Sequence, residues 1–163
     1  MSEIFKRKIL DKIEPFLSTR DILLFYGARQ VGKTTLMKYI QQHWFAHNSV
    51  FFDLEKPSNL EIADKDPDLF VDYLKVYNGW DMKSNLVVFV DEIQYLSRPT
   101  KFLKYLYDHY ENLKLIVSGS SSLEIRGKLE DSLVGRLVKF EIYPLDFEEF
   151  LIFNQKNNLA ALL

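Results

Sequence analysis

The run Gly27-Ala28-Arg29-Gln30-Val31-Gly32-Lys33-Thr34 restricts the folding of this chain more than any other feature. It fits the pattern Gly-x-x-x-x-Gly-Lys-Ser/Thr and lies directly behind the apolar stretch Ile22-Leu23-Leu24-Phe25-Tyr26. Two glycines let the backbone curl until successive N–H groups converge on one point. A helix opening near Thr34 aims the positive end of its dipole at the same point. Such a curl is built for phosphate. Lys33 is placed to reach the β- and γ-phosphates of a nucleotide and the Thr34 hydroxyl to ligate Mg²⁺, with Thr35 behind them in the helix. The candidate binding segment is therefore Gly27, Ala28, Arg29, Gln30, Val31, Gly32, Lys33, Thr34 and Thr35, with the Arg29 side chain expected to project outward. A chance match somewhere in a chain of this composition has a probability of about 0.002.

The rest of the pattern surrounds that loop with alternating helices and strands. A helix is expected over residues 3–17, with Ile9, Leu10, Ile13, Phe16 and Leu17 on one face and Pro15 near its end. Short, nearly continuous apolar runs predict buried strands at 22–26, 50–52, 86–90 and 113–117, and an alternating strand at 137–143. Helices are expected from Thr34 to Trp44, from Asp68 to Tyr77 with Asn78-Gly79 closing it, and behind Pro99. Two more are expected around 123–133 and from Asp146 to Phe153, the last with an N-cap aspartate. Residues 55–68, polar and holding Pro57 and Pro67, read as a loop with at most one helical turn. Strands separated by helices imply an α/β fold, a parallel sheet covered on both faces.

The strongest strand, Leu86-Val87-Val88-Phe89-Val90, ends in Asp91-Glu92. Beside a phosphate loop, Asp91 is the candidate Mg²⁺ partner, through water, and Glu92 the group that orients and deprotonates an attacking water. Gln94 is placed to contact either Glu92 or the γ-phosphate region. The next strand ends in Ser118-Gly119-Ser120, where Ser118 or Ser120 would face the γ-phosphate; Ser121 and Ser122 read as a helix N-cap. Arg136, after Gly135, is a candidate to complete a neighbouring subunit's site, with a surface ion pair as the alternative. No Asn/Thr-Lys-x-Asp guanine-reading motif occurs, so ATP is expected over GTP.

Composition closes off other chemistries. The absence of cysteine excludes disulfides and thiolate metal sites, and three histidines are too few for a histidine-rich centre. A net charge of −2 excludes a bulk electrostatic grip on nucleic acid, although a local basic patch stays open. No apolar run approaches the roughly 20 residues of a membrane span and the N-terminus lacks a secretory signal, so a cytoplasmic location is expected.

Taken together, residues 27–35, Val90-Asp91-Glu92-Ile93-Gln94-Tyr95-Leu96, residues 117–122, Gly135-Arg136 and Tyr143-Pro144-Leu145-Asp146-Phe147-Glu148-Glu149-Phe150 resemble a bacterial and archaeal group of AAA-type ATPases. The resemblance implies a three-layer P-loop NTPase fold with strand order 5-1-4-3-2. It also implies Walker A at 27–34, Walker B at 86–92, a sensor at Ser118 or Ser120, and a finger-like Arg136 acting in trans in a homo-oligomer. Members carry a C-terminal domain of poorly understood function. Residues 1–153 are thus expected to form the ATPase core and 154–163 the start of a C-terminal region, with no helical lid and no second sensor arginine. The expected function is Mg-dependent ATP hydrolysis coupled to a partner domain or protein. The alternatives are a nucleotide-gated binding module and a small P-loop kinase, in which Arg126 and Arg136 would serve as lid arginines.

Overall fold

A computed structural model describes residues 6–120, 129 and 133–156. Five strands form one sheet: β1 (Ile22–Gly27), β2 (Ser49–Asp53), β3 (Leu86–Asp91), β4 (Leu113–Ser120) and β5 (Leu137–Glu141). Every neighbouring pair is parallel, in the order β2-β3-β4-β1-β5. Read from the other edge, this is the expected 5-1-4-3-2.

Burial follows the pleat. Leu23 and Phe25 of β1, Val87 and Phe89 of β3 and Ile116 of β4 face one side, where α1 (Leu10–Leu17) and α2 (Lys33–Trp44) cover them. The alternate residues Ile22, Leu24, Val88, Val90, Leu115 and Val117 face the other side. There they meet α3 (Pro57–Lys65), α4 (Pro67–Asn78) and α5 (Pro99–His109). All six residues of β3 are buried, as a central parallel strand with both faces covered requires. A final helix, α6 (Phe147–Lys156), follows β5.

All strands run the same way, so Gly27, Asp53, Asp91 and Ser120 end on one side of the sheet. The helices after β1 and β3 leave to opposite faces, which opens a crevice between the phosphate loop and the Asp91-Glu92 turn. Ligands of open α/β sheets bind at such a place.

Several expectations need correction. The first helix begins at Leu10, and residues 6–9 are turn and extended chain, because Arg7 and Lys8 are held by partners near residue 149; residues 3–5 lie outside the described residues. Pro15 sits inside α1, which continues to Leu17. The stretch read as a loop holds the nine-residue α3, opened by Pro57 at its first position; only Ala63 of it is fully buried, so it carries almost no periodic signal. Strand β5 stops at Glu141, although Ile142 N–H still donates to Tyr26 O at 2.7 Å. Asp146 does cap α6: its Oδ1 accepts from Glu149 N while Glu149 Oε2 accepts from Asp146 N, a reciprocal capping box. Helix α6 runs past Phe153 through Lys156, so the first residues of the expected tail are helical and the remainder lies outside the described residues. The helix expected over 123–133 also falls largely outside them, as do Ser121 and Ser122.

One cation organises the far end of the sheet. Lys114 Nζ, from β4, donates to the carbonyls of Phe16, Thr19 and Asp21 at 2.9, 2.7 and 2.7 Å, fastening the α1–β1 connection. Lys114→Met keeps the side-chain volume and strands these acceptors. It is expected to lower the unfolding free energy by about 1–3 kcal/mol in urea denaturation; an unchanged midpoint would show that water satisfies the carbonyls equally well.

Candidate functional site

The loop between β1 and α2 owes its shape to two glycines. At Gly27 (φ +156°) an added Cβ would lie 2.3 Å from the backbone oxygen of Ile142, so the chain can pass the end of β5 only without a side chain. Gly32, at φ +92°, is the left-handed N-cap of α2, and Gln30 also turns through φ +64°. Lys33 follows at the first position of α2 and is buried. Its Nζ donates to Gly27 O at 3.2 Å and Ala28 O at 2.9 Å, across the curl. Ala28, Arg29, Gln30 and Thr35 are exposed.

The acidic turn lies directly opposite. Thr34 Oγ1 donates to Asp91 Oδ2 at 2.6 Å, joining two motifs 57 residues apart. The other Asp91 oxygen accepts from the Ser118 hydroxyl. That hydroxyl oxygen in turn accepts from Glu92 N at 2.9 Å. Asp91, at 3% exposure, and Ser118, fully buried, form the floor of the site. Glu92 is held in a left-handed conformation (φ 61°, ψ 53°), rare for a residue with a side chain, and opens a 3-10 turn at Ile93–Tyr95. Gln94 reaches back: its Nε2 donates to Glu92 Oε2 while its Oε1 accepts from Ser120 N at 3.2 Å. Of the two sensor candidates, Ser118 has its hydroxyl on the acidic pair, whereas Ser120 meets this network through its backbone.

Arg136 is not brought to this loop. It precedes β5, its carbonyl accepts from Ile22 N at 2.7 Å, and it therefore sits at the amino ends of the strands. Its Nε pairs with Asp108 at 3.1 Å, both side chains one-third exposed. Arg126 lies outside the described residues.

Sequence reasoning did not single out Arg7, which touches the loop, or Glu149, which holds Arg7. Arg7 donates from Nη1 to Val31 O at 3.2 Å, from Nη2 to Tyr143 O at 2.9 Å and Pro144 O at 3.4 Å, and from Nε to Glu149 Oε1 at 3.1 Å. The same Glu149 oxygen accepts from Lys8 N at 2.8 Å. Burial pushes the Glu149 carboxyl up, but the Lys8 and Asp146 N–H groups and the Arg7 guanidinium outweigh it and hold the carboxyl below its ordinary value. The only local signal was the Asp-x-x-Glu capping pattern at 146–149; Arg7 reads in sequence as one member of a basic triplet.

Hard oxygen donors (Thr34, Asp91), a buried ammonium and a curl of backbone amides converge here, a set suited to a polyphosphate and its divalent cation. Among the described residues no helix is long and apolar enough to cross a membrane.

Comparison with known proteins agrees. The AAA domain family matches residues 19–151. An uncharacterized protein of Methanocaldococcus jannaschii is 32% identical over 153 residues, covering 93% of this chain and 33% of that protein. An uncharacterized protein of Haemophilus influenzae is 27% identical over 153 residues, covering 91% and 37%. The chain thus spans about a third of the length of the curated relatives it matches. Among solved structures, a chain of Drosophila ORC bound to DNA superposes with TM-score 0.59 at 14% identity, over 89% of this chain and 94% of that one. Saccharomyces cerevisiae RIF2 superposes with TM-score 0.57 at 14% identity, over 90% and 58%. At that identity the likeness is one of fold.

Ser118→Ala would remove a donor from the buried Asp91 carboxylate and leave Glu92 N–H unpaired. It is expected to cost about 1–3 kcal/mol of stability, read from thermal or urea unfolding. A variant as stable as wild type would mean that the serine does not support the acidic pair.

Proposed function

The chain belongs to the AAA domain family, and from that we propose that the loop at 27–34 holds the phosphates of MgATP and that Glu92 directs water onto the γ-phosphate. The Thr34–Asp91 hydrogen bond carries this reading, because it sets the phosphate loop and the acidic strand end at one point. The Lys33 ammonium supports it as well. Among the described residues it meets loop carbonyls and no carboxylate, so an arriving phosphate need not displace an ion pair.

Each residue then has a task. Loop N–H groups and Lys33 grip the β- and γ-phosphates. The Thr34 hydroxyl would hold Mg²⁺ directly and the Asp91 carboxylate through water; bound there, the ion would neutralise charge on the phosphate oxygens. Ser118 fixes Asp91 and, through Glu92 N–H, the start of the acidic turn. Glu92 takes a proton from water as its oxygen bonds to the γ-phosphorus. The bond from phosphorus to the β–γ bridging oxygen breaks, leaving ADP and inorganic phosphate. Gln94 holds one Glu92 oxygen and so orients the other. Arg136, at the opposite end of the sheet, serves a neighbouring copy's γ-phosphate in a homo-oligomer, once released from Asp108. The energy is delivered to a partner domain or a separate partner protein, in the cytoplasm.

A second reading, the nucleotide-gated binding module, draws support from Gln94. Its amide occupies one oxygen of the proposed base, which leaves that carboxylate a single oxygen for water and favours slow turnover.

Two measurements test these assignments. Nucleotide titration with and without Mg²⁺ is expected to show tight MgATP binding by wild type and a loss of about tenfold or more in Lys33→Ala; equal affinity would defeat the site. Glu92→Gln in the full-length protein is expected to reduce phosphate release by about 100-fold or more while ATP still binds. Unchanged turnover would transfer the case to the gated module, and phosphate appearing on a small acceptor instead of in water would transfer it to the kinase.

A further inference from the structure

The Val31–Gly32 peptide precedes the left-handed cap of α2, where the backbone can rotate with little steric resistance. In a trans peptide the C=O and N–H point in opposite directions. Whatever holds Val31 O therefore also aims Gly32 N–H. Arg7 Nη1 holds that oxygen at 3.2 Å, which turns Gly32 N–H away from Arg7.

Arg7 is not free to set this alone. Its guanidinium is nearly buried, and its other donors are committed to Tyr143 O and Pro144 O in the β5–α6 connection and to Glu149 in the first turn of α6. Glu149 is buried in turn and bound by Lys8 N and Asp146 N. A planar fork with four acceptors in fixed directions works as a bracket. Moving α6 carries Glu149 and the Tyr143–Pro144 carbonyls with it, and the guanidinium has to follow.

We propose that Arg7 is a positioning residue that aims the phosphate-binding amide of Gly32 and makes the grip on phosphate depend on the placement of α6. The proposal rests on the nucleotide site described above and adds to it a regulatory input from the helix that leads out of the ATPase core. Helix α6 then exerts its effect on ligand affinity through a defined contact, and binding of phosphate stabilises the α6 position reciprocally.

Titration with MgATP and with Mg-tripolyphosphate, which has no base or ribose, separates an effect on the phosphate cradle from one elsewhere. Wild type, Arg7→Ala, Arg7→Lys, Glu149→Gln and the Arg7→Ala/Glu149→Gln double variant are compared, each verified as folded by circular dichroism. Arg7→Ala is expected to lose about tenfold in affinity for both ligands alike. Arg7→Lys should recover little, because an ammonium has three N–H donors at one point and cannot reproduce the planar fork that meets Val31 O, Tyr143 O, Pro144 O and Glu149. Glu149→Gln should lose less than Arg7→Ala, and the double variant should be no weaker than Arg7→Ala alone.

Wild-type affinity for both ligands in folded Arg7→Ala would overturn the proposal. So would a loss confined to ATP, or losses that add in the double variant. Should Arg7→Ala fail to fold, Arg7→Lys decides alone: reduced affinity for both ligands supports the proposal and wild-type affinity overturns it. If wild type binds neither ligand, or Lys33→Ala binds as wild type does, the nucleotide site itself is wrong. If those controls behave and only the Arg7 variants are silent, the site stands and the bracket falls.

Discussion

Asp91 is a carboxylate at the carboxyl end of the central strand, 3% exposed, and its burial is tolerable only because hydroxyls from two other elements donate to it. Thr34 comes from the helix that follows β1 and Ser118 from β4, so one charge fixes the phosphate loop, β3 and β4 relative to one another. The Ser118 oxygen accepts the Glu92 N–H as well, which gives the residue after Asp91 its left-handed turn and lifts its side chain off the floor. The same contacts that make the charge affordable thus separate the two acids into a buried one facing Thr34 and a half-buried one facing the crevice.

Much of this was legible in the sequence because it is written in short-range terms. A Gly-x-x-x-x-Gly-Lys-Thr run behind an apolar strand has one economical conformation, and parallel strands buried on both faces appear as unbroken runs of Leu, Val, Ile and Phe. Asp91, Glu92 and Ser118 were identifiable because each stands where an apolar strand gives way to polar residues. Helix α3 was not, since it buries little of its own surface; nearly all its residues stay partly or fully in water, so its sequence looks like a polar loop. The start of the first helix was misjudged for a different reason. Ile4 and Phe5 continue the helical spacing, but Arg7 and Lys8 have partners some 140 residues away, and tertiary hydrogen bonds override local periodicity there.

Arg136 shows a limit of another kind. Gly135-Arg136 before a strand can be read locally, yet its relation to the phosphate loop depends on which end of β5 it occupies. The register settles that: Leu137 pairs with Ile22 and Glu141 with Tyr26, so Arg136 lies a strand's length from Gly27. An arginine so placed braces its own chain against Asp108, with a third of its side chain exposed, so any subunit contact that recruited Arg136 would have to compete with Asp108.

The loop's two glycines have a common neighbour. Gly27 has room for no side chain because Ile142 O lies against it, and Gly32 is flanked by Arg7, whose remaining donors end on Tyr143, Pro144 and Glu149. Both flexible points of the phosphate loop therefore rest on one continuous segment, residues 142–149, that connects the last strand to α6. Glycine gives the loop its curl at the cost of stiffness, and the stiffness returns from outside through a carbonyl at one end and a guanidinium at the other. A force applied along α6 would be felt at both glycines before it reached the acidic turn on β3. A displacement of α6 therefore needs no long relay to reach the loop, because residues 142–149 already lie against one glycine and, through Arg7, against the other.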